Sequence, residues 1–307
     1  MIELQRKLLG DTVRNKAFEL ALKKAVKQGD AVVDLGSGTG FLGFLASRLG
    51  AKQVTLIESG DILDISKKLA ERNKIKNCTF IKKHSTEVRS LPKADVLISE
   101  TLGNYALEEN IIESIENAKR FLKPDGIIIP GKISQFVCPV TSDRLQKDID
   151  VWPAIGFDLE FHEARTISLN NMFVKTIHAD DLLAGATELW DTIDFAKKNK
   201  SIRTKTVTWK PLHATVIRGF ALWWDAELVP GVHLSTAPDK PVTHWEQIYL
   251  PVLESISLAK GERVELMLIS DSRYDVKINL AWNVRKLDAA GKAVSEQALD
   301  MSRGYLG

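Results

Sequence analysis

Two glutamates, Glu100 and Glu109, stand nine residues apart in the run Ser99-Glu100-Thr101-Leu102-Gly103-Asn104-Tyr105-Ala106-Leu107-Glu108-Glu109. A loop containing Gly103 allows such a pair to fold back and face one another, at a cost in repulsion unless a cation lies between them. A planar guanidinium, permanently charged and with five donors in fixed directions, is the natural guest. The competing reading makes Glu108 and Glu109 the acidic first turn of a following helix. It accounts for Glu109 but not for Glu100, which ends an apolar run.

A second group lies upstream. Asp34-Leu35-Gly36-Ser37-Gly38-Thr39-Gly40 closes one apolar run and opens a helical stretch. Glycines there let the backbone approach a bound nucleoside, and a helix start offers free N–H groups. Glu58 ends the next apolar run, where a carboxylate can accept both ribose hydroxyls. A dinucleotide site would show the same Glu58. The spacing, however, is G-x-G-x-G, Phe41 stands beyond it, and Asp34 precedes the first glycine where dinucleotide sites are apolar. Two carboxylates, Asp34 and Glu58, suit the ammonium, sulfonium and ribose of S-adenosylmethionine better than a pyrophosphate, with NAD as the competing ligand. No G-x-x-x-x-G-K-[ST] run is present for a nucleoside triphosphate.

These residues need a frame. Strands are expected at 31–35, 53–57, 79–81, 94–98 and 126–129, with helices near 41–49, 61–74 and 106–122 and an amphipathic lead-in over 11–27. That alternation predicts a parallel, doubly wound sheet, with ligands outside the carboxyl ends of its strands. Beyond Pro130-Gly131 the rhythm shifts to period two: Val264, Leu266 and Leu268, then Val276, Ile278 and Leu280, with further strands at 204–209 and 215–224. This half reads as antiparallel β. Residues 143–200 fit neither rhythm and, with Trp152, Phe157, Phe161 and Trp190, read as an insertion that packs against something.

With 307 residues, 44% hydrophobic and 27% charged, the chain has the composition of a globular protein with a substantial core. Its net charge of +2 advertises neither nucleic acid nor an anionic membrane. No apolar run approaches the roughly 18 residues of a spanning helix, and the first residues lack a signal-peptide core. Cys78 and Cys138 have no metal-ligand spacing and read as reduced, buried thiols of a cytoplasmic protein.

Taken in order, these motifs resemble the protein arginine methyltransferase family. Val33 through Gly40 is similar to its first cofactor motif, and Asp11-Thr12-Val13-Arg14 to the Asp-x-x-Arg before it. Ser99 through Glu109 is similar to the double-glutamate hairpin, and Leu122 through Pro130 to the stretch closing the cofactor domain. Thr243-His244-Trp245, about 135 residues beyond the hairpin, is similar to the family's threonine-histidine-tryptophan loop. The resemblance implies a Rossmann-like S-adenosylmethionine domain over 1–130. It implies an antiparallel β-barrel over 131–307, with a helical arm at about 145–200 for head-to-tail homodimers. Arg14, Asp34, Gly36, Gly38, Glu58, Ser85 and Thr86 would hold the cofactor. Glu100 and Glu109 would clamp a substrate guanidinium in a protein or peptide, and His244 with Asp11 would give a proton outlet. Relatives carry an acidic residue where Thr86 stands and often a histidine at Gln5, and the hairpin lacks their Trp-Met-Gly-Tyr. Methylation of a small-molecule amine or guanidine, or a dimeric scaffold without catalysis, stay open as alternatives.

Overall fold

A computed structural model describes residues 2–304. In its first part, β1 (Ala31–Leu35), β2 (Gln53–Ile57), β3 (Cys78–Ile81), β4 (Ala94–Ser99) and β5 (Leu122–Ile129) form one parallel sheet in the order β3-β2-β1-β4-β5. Four consecutive buried residues in β1, Val32 to Leu35, require that both faces of the sheet be covered. The covering helices are α2 (Thr12–Ala25), α3 (Phe41–Arg48), α4 (Ile62–Arg72) and α5 (Ile111–Ala118). Ahead of them α1 (Ile2–Gly10) buries none of its side chains. Strand order reverses between β1 and β4, so a crevice opens where the loops after these two strands diverge. The glycine loop and the double-glutamate run are those two loops.

The second part is antiparallel. β6 (Lys132–Val140) is followed by α6 (Arg144–Ile149), α7 (His162–Leu169), β7 (Phe173–Lys175), β8 (Glu188–Asp194), β9 (Ile202–Trp209), β10 (Thr215–Val229) and β11 (Val232–Ser235). Then come β12 (Gln247–Leu258), β13 (Arg263–Asp271), β14 (Asn279–Leu287) and β15 (Ala293–Asp300). One sheet runs β7-β12-β10-β6-β8 with β11 on β10; the other runs β15-β14-β13-β9. β13 alternates as its sequence requires: Val264, Leu266 and Leu268 are buried while Arg263, Glu265 and Met267 are only partly so. Trp282 Nε1 on β14 donates to the carbonyl of Pro251 on β12 at 2.8 Å and ties the two sheets together.

Three expectations are corrected. The helix expected over 106–122 is confined to Ile111–Ala118. Residues 106–109 form turns, and Asn110, at φ +54°, breaks the path into the helix. The fifth strand starts at Leu122 instead of 126. β14 starts at Asn279, because residues 274–277 form a turn ending in Lys277 at φ +66°. Of the aromatic residues in the insertion, Trp190 is fully buried in β8 whereas Phe157 is 89% exposed, with Val151 and Leu159 exposed near it. Among the described residues no helix is long and apolar enough to cross a membrane. Both cysteines are free; Cys138 is buried and Cys78 only half-buried.

Replacing Trp282 by Phe keeps an aromatic ring, smaller than the indole, and removes the donor, leaving a buried carbonyl unpaired. The expected cost is about 1–3 kcal/mol, read as a lower midpoint in chemical denaturation with an unchanged slope. An unchanged midpoint contradicts the role given to this bond.

Candidate active site

The double-glutamate run does not hold its own shape. Residues 100–110 contain no helix or strand, and two consecutive backbone carbonyls among them are satisfied from the other half of the chain. Trp245 Nε1 donates to Leu102 O at 2.8 Å and Trp224 Nε1 to Gly103 O at 3.0 Å. The two indoles meet edge to face, with centroids 5.0 Å apart. The backbone N–H of Glu246 donates to Asn104 Oδ1 at 2.9 Å. At the far end, Asn110 Nδ2 donates to the carbonyls of Ser272 and Lys277 at 2.6 and 3.1 Å. Glu108 and Glu109 therefore precede α5 in turns and are not its first helical turn. The Glu108 carboxylate folds back to accept the Tyr105 N–H at 3.2 Å, over Gly103, where a Cβ would collide with it. Glu109, with no hydrogen bond of its own, faces the crevice.

The crevice is a cleft of about 520 Å³, within the range of small-molecule sites. Its walls include Arg14, Asp34, Gly36, Gly38, Glu58, Ser85, Glu100, Glu109 and His244. Gly36 sits at φ +62°, and a Cβ there would lie 2.9 Å from the Thr101 methyl. Gly38 sits at φ +52° beneath the Gln5 amide of α1, so α1 crosses the glycine loop. Glu58 accepts the N–H groups of Gly38 at 3.1 Å and Gly60 at 2.7 Å, which fixes its carboxylate beside the loop. A glycine cradle that tolerates no Cβ, with a carboxylate held next to it, fits a nucleoside.

Charge in the cleft is strongly uneven. Arg14 gives Nε and Nη2 to the single oxygen Glu100 Oε2, the first bond at 2.9 Å, and both side chains are more than nine-tenths buried. Asp11 caps α2 by accepting the Arg14 N–H at 2.8 Å. It also takes both the backbone N–H and Nδ1 of His244 at 2.8 Å. Burial alone would raise the Asp11 carboxyl, but the Arg14 N–H and then the His244 contacts hold it below the usual carboxylate range. The other carboxylates move the opposite way. Glu109 keeps solvent contact at the mouth of the cleft, yet enclosure by protein on its other sides pushes it up to about 7. The nearby Glu100, Glu108 and Glu58 push in the same direction. Asp34 is also pushed up to about 7, by burial first, against the Gly43 N–H that it accepts at 2.9 Å.

Some expected site residues sit differently from the sequence reading. Arg14, expected on a ligand carboxylate, pairs with Glu100. Asp34, expected on a ligand ammonium, spends one oxygen on the first turn of α3. Ser85 lines the cleft but Thr86 does not: its hydroxyl lies 2.7 Å from His84 Nδ1, within a turn where His84 is the capping residue. The cleft wall there is Lys83-His84-Ser85. Arg120 steadies this turn by donating to the carbonyls of Ser85 and Val88 at 3.0 and 2.6 Å. His84, Asn110 and Trp224 have no motif to mark them, and only the tertiary contacts disclose them.

Comparison with known proteins adds an independent line. Residues 26–171 match the family model of a methyltransferase domain, and residues 132–286 match that of the arginine methyltransferase oligomerization subdomain. Protein arginine N-methyltransferase 1 of Dictyostelium discoideum is 27% identical over 296 residues, covering 91% of this chain and 86% of the relative. Arginine N(omega)-methyltransferase of Streptomyces achromogenes subsp. streptozoticus is 29% identical over 270 residues, covering 85% and 74%. Among solved structures, the Trypanosoma brucei PRMT1 enzyme–prozyme heterotetrameric complex with AdoHcy superposes with a TM-score of 0.85 at 20% identity. That superposition covers 97% of this chain and 98% of the other. Arabidopsis thaliana protein arginine methyltransferase 10 gives 0.82 at 21%, covering 98% of both. The fold is therefore shared over nearly the whole chain.

The Glu109 carboxyl is expected to titrate near 7 when followed by carbon-13 NMR. In Glu100→Gln it should titrate lower, because a negative neighbour is gone and Arg14 is released. A midpoint at the ordinary glutamate value, about 4.3, or one indifferent to Glu100, contradicts this description of the cleft.

Proposed function

The chain belongs to the protein arginine methyltransferase family, and from that premise we propose that it methylates the guanidino nitrogen of arginine in proteins or peptides. The single observation that carries the proposal is the hairpin, held so that Glu100 and Glu109 line one cleft with the glycine loop. When bound, S-adenosylmethionine supplies the electrophilic methyl group. Gly36, Gly38 and Glu58 suit its nucleoside, and Ser85 the wall beyond. Asp34 keeps the glycine loop and α3 in register through Gly43.

The chain's own part is positioning and charge placement. Glu109 takes one edge of the guanidinium. Glu100, kept in place by Arg14, takes the other. Together they draw positive charge away from the nitrogen that is to be alkylated, which improves it as a nucleophile. The proton released afterwards leaves by His244, whose imidazole is oriented by Asp11, or directly to water. Glu109 must be ionised to do this. A bound guanidinium lowers its pKa, so binding releases a proton below about pH 7 and strengthens as pH rises through that value.

A second reading, methylation of free arginine or another small guanidine, is favoured by the Streptomyces relative, whose name specifies arginine Nω and no protein. Peptides and free arginine offered side by side separate the two. For assembly, we propose head-to-tail homodimers made by the arm around Val151, Phe157 and Leu159, exposed as a contact surface would be. An apolar groove of Leu9, Phe41, Phe44, Leu45 and Leu69 on the cofactor half is its docking surface. The name of the matching subdomain model supports this. The division into a cofactor domain over 1–130 and a barrel over 131–307 follows the change from parallel to antiparallel pairing. The two free thiols suit the cytoplasm.

Glu109→Gln should lower kcat/KM for an arginine peptide at least 100-fold, roughly 3 kcal/mol, with S-adenosylhomocysteine affinity nearly unchanged. The wild-type enzyme should gain activity from pH 6 to 8 in a one-proton step. Near-full activity of the variant refutes the clamp. Separately, Phe157→Asp should convert a dimer to a monomer in light scattering; a dimer unaffected by it rules out the arm.

A further inference from the structure

The geometry points to the loop between β13 and β14 as part of the cofactor site: its Tyr274 holds the His84 imidazole at the rim of the cleft, where that ring seats the adenine base. This rests on the cofactor reading above. The direction of the ligand follows from the sheet. The hairpin after β4 marks the reacting end, the glycine loop after β1 comes next, and Glu58 after β2 marks the ribose. The next position along the order β4-β1-β2-β3 is the turn after β3, which is Lys83-His84-Ser85. Thr86 does not line the cleft, so His84 is the ring presented there.

The His84 ring is fixed from two sides. Its Nδ1 lies 2.7 Å from Thr86 Oγ1. Tyr274 meets the imidazole edge-on, with centroids 5.6 Å apart and planes at 79°. The Tyr274 hydroxyl lies 3.4 Å from the Ser114 hydroxyl, and Ser114 itself lines the cleft. The loop carrying Tyr274 is anchored to the cofactor half at both ends. Ser272 Oγ donates to Glu113 Oε1 at 2.8 Å, and the carbonyls of Ser272 and Lys277 accept Asn110 Nδ2. An imidazole with one nitrogen engaged and its plane set keeps a face for stacking on a purine. Tyr274 acts through His84 and is a positioning residue.

The test is calorimetric titration of S-adenosylhomocysteine into wild type, His84→Ala, Tyr274→Ala, Tyr274→Phe and the His84→Ala/Tyr274→Ala double variant. Each alanine variant should bind about fivefold to tenfold more weakly, the size of an aromatic pair. The double variant should bind no more weakly than His84→Ala alone, because the tyrosine has no effect without its histidine. Tyr274→Phe keeps the ring edge and should restore wild-type affinity, which a general loss of loop packing would not explain. Wild-type affinity in Tyr274→Ala, or losses that multiply in the double variant, overturns this inference and leaves the cofactor reading intact. A wild-type protein that does not bind S-adenosylhomocysteine overturns both.

Discussion

Two indole N–H groups from the antiparallel half fix a loop of the parallel half. Trp245 and Trp224 take consecutive carbonyls, Leu102 and Gly103, and the loop between them and α5 is shaped by those bonds. Buried carbonyls in a segment without helix or strand require partners from elsewhere. Here the partners are large, rigid and packed against each other, so they supply position as well as satisfaction. With these bonds Glu100 and Glu109 line the same cleft. Without them the segment is eleven residues with no helix or strand, whose few internal bonds among residues 105–110 do not tie Glu100 to Glu109.

That arrangement leaves the cleft rich in carboxylates, and the protein handles the cost in three ways. Glu100 is neutralised by Arg14 from α2. Asp11 is stabilised by N–H donors and by His244. Asp34 and Glu109 are left with elevated pKa values near neutrality. A site whose free carboxyl is poised at the working pH gains the most from a cation that is always charged, and a guanidinium is that cation. The Asp11–His244 contact joins the cap of α2 to the loop after β11, so the same residues that complete the charge pattern also bind the two halves together.

Much of this was legible in the chain. Gly36 and Gly38 marked a tight glycine turn, Glu58 a carboxylate beside it and Glu100 the end of a strand, because each depends on local spacing. Thr243-His244-Trp245 was readable as a family motif, though its hydrogen bond to Leu102 was not. What escaped was set by tertiary contacts. Asn110 looks like an ordinary helical residue, yet its side chain is committed to the β13–β14 loop, and the helix expected over 106–122 therefore starts at Ile111. Thr86 looked like a cleft residue, but its hydroxyl is turned to His84. Arg14 looked like a ligand contact, and its partnership with Glu100, 86 residues away, could not be inferred from composition or period.

The most direct test of the central claim measures guanidinium binding without chemistry. N-acetylarginine amide is titrated into the S-adenosylhomocysteine complex of wild type and of a Trp224→Phe/Trp245→Phe variant, which keeps an aromatic ring at each position and loses both donors. Guanidinium affinity should fall tenfold or more, on the scale of two buried carbonyls left unpaired at about 1–3 kcal/mol each, while S-adenosylhomocysteine affinity stays within about twofold. Equal guanidinium affinity in the two proteins would show that the hairpin keeps its glutamates in place unaided, and would contradict the account.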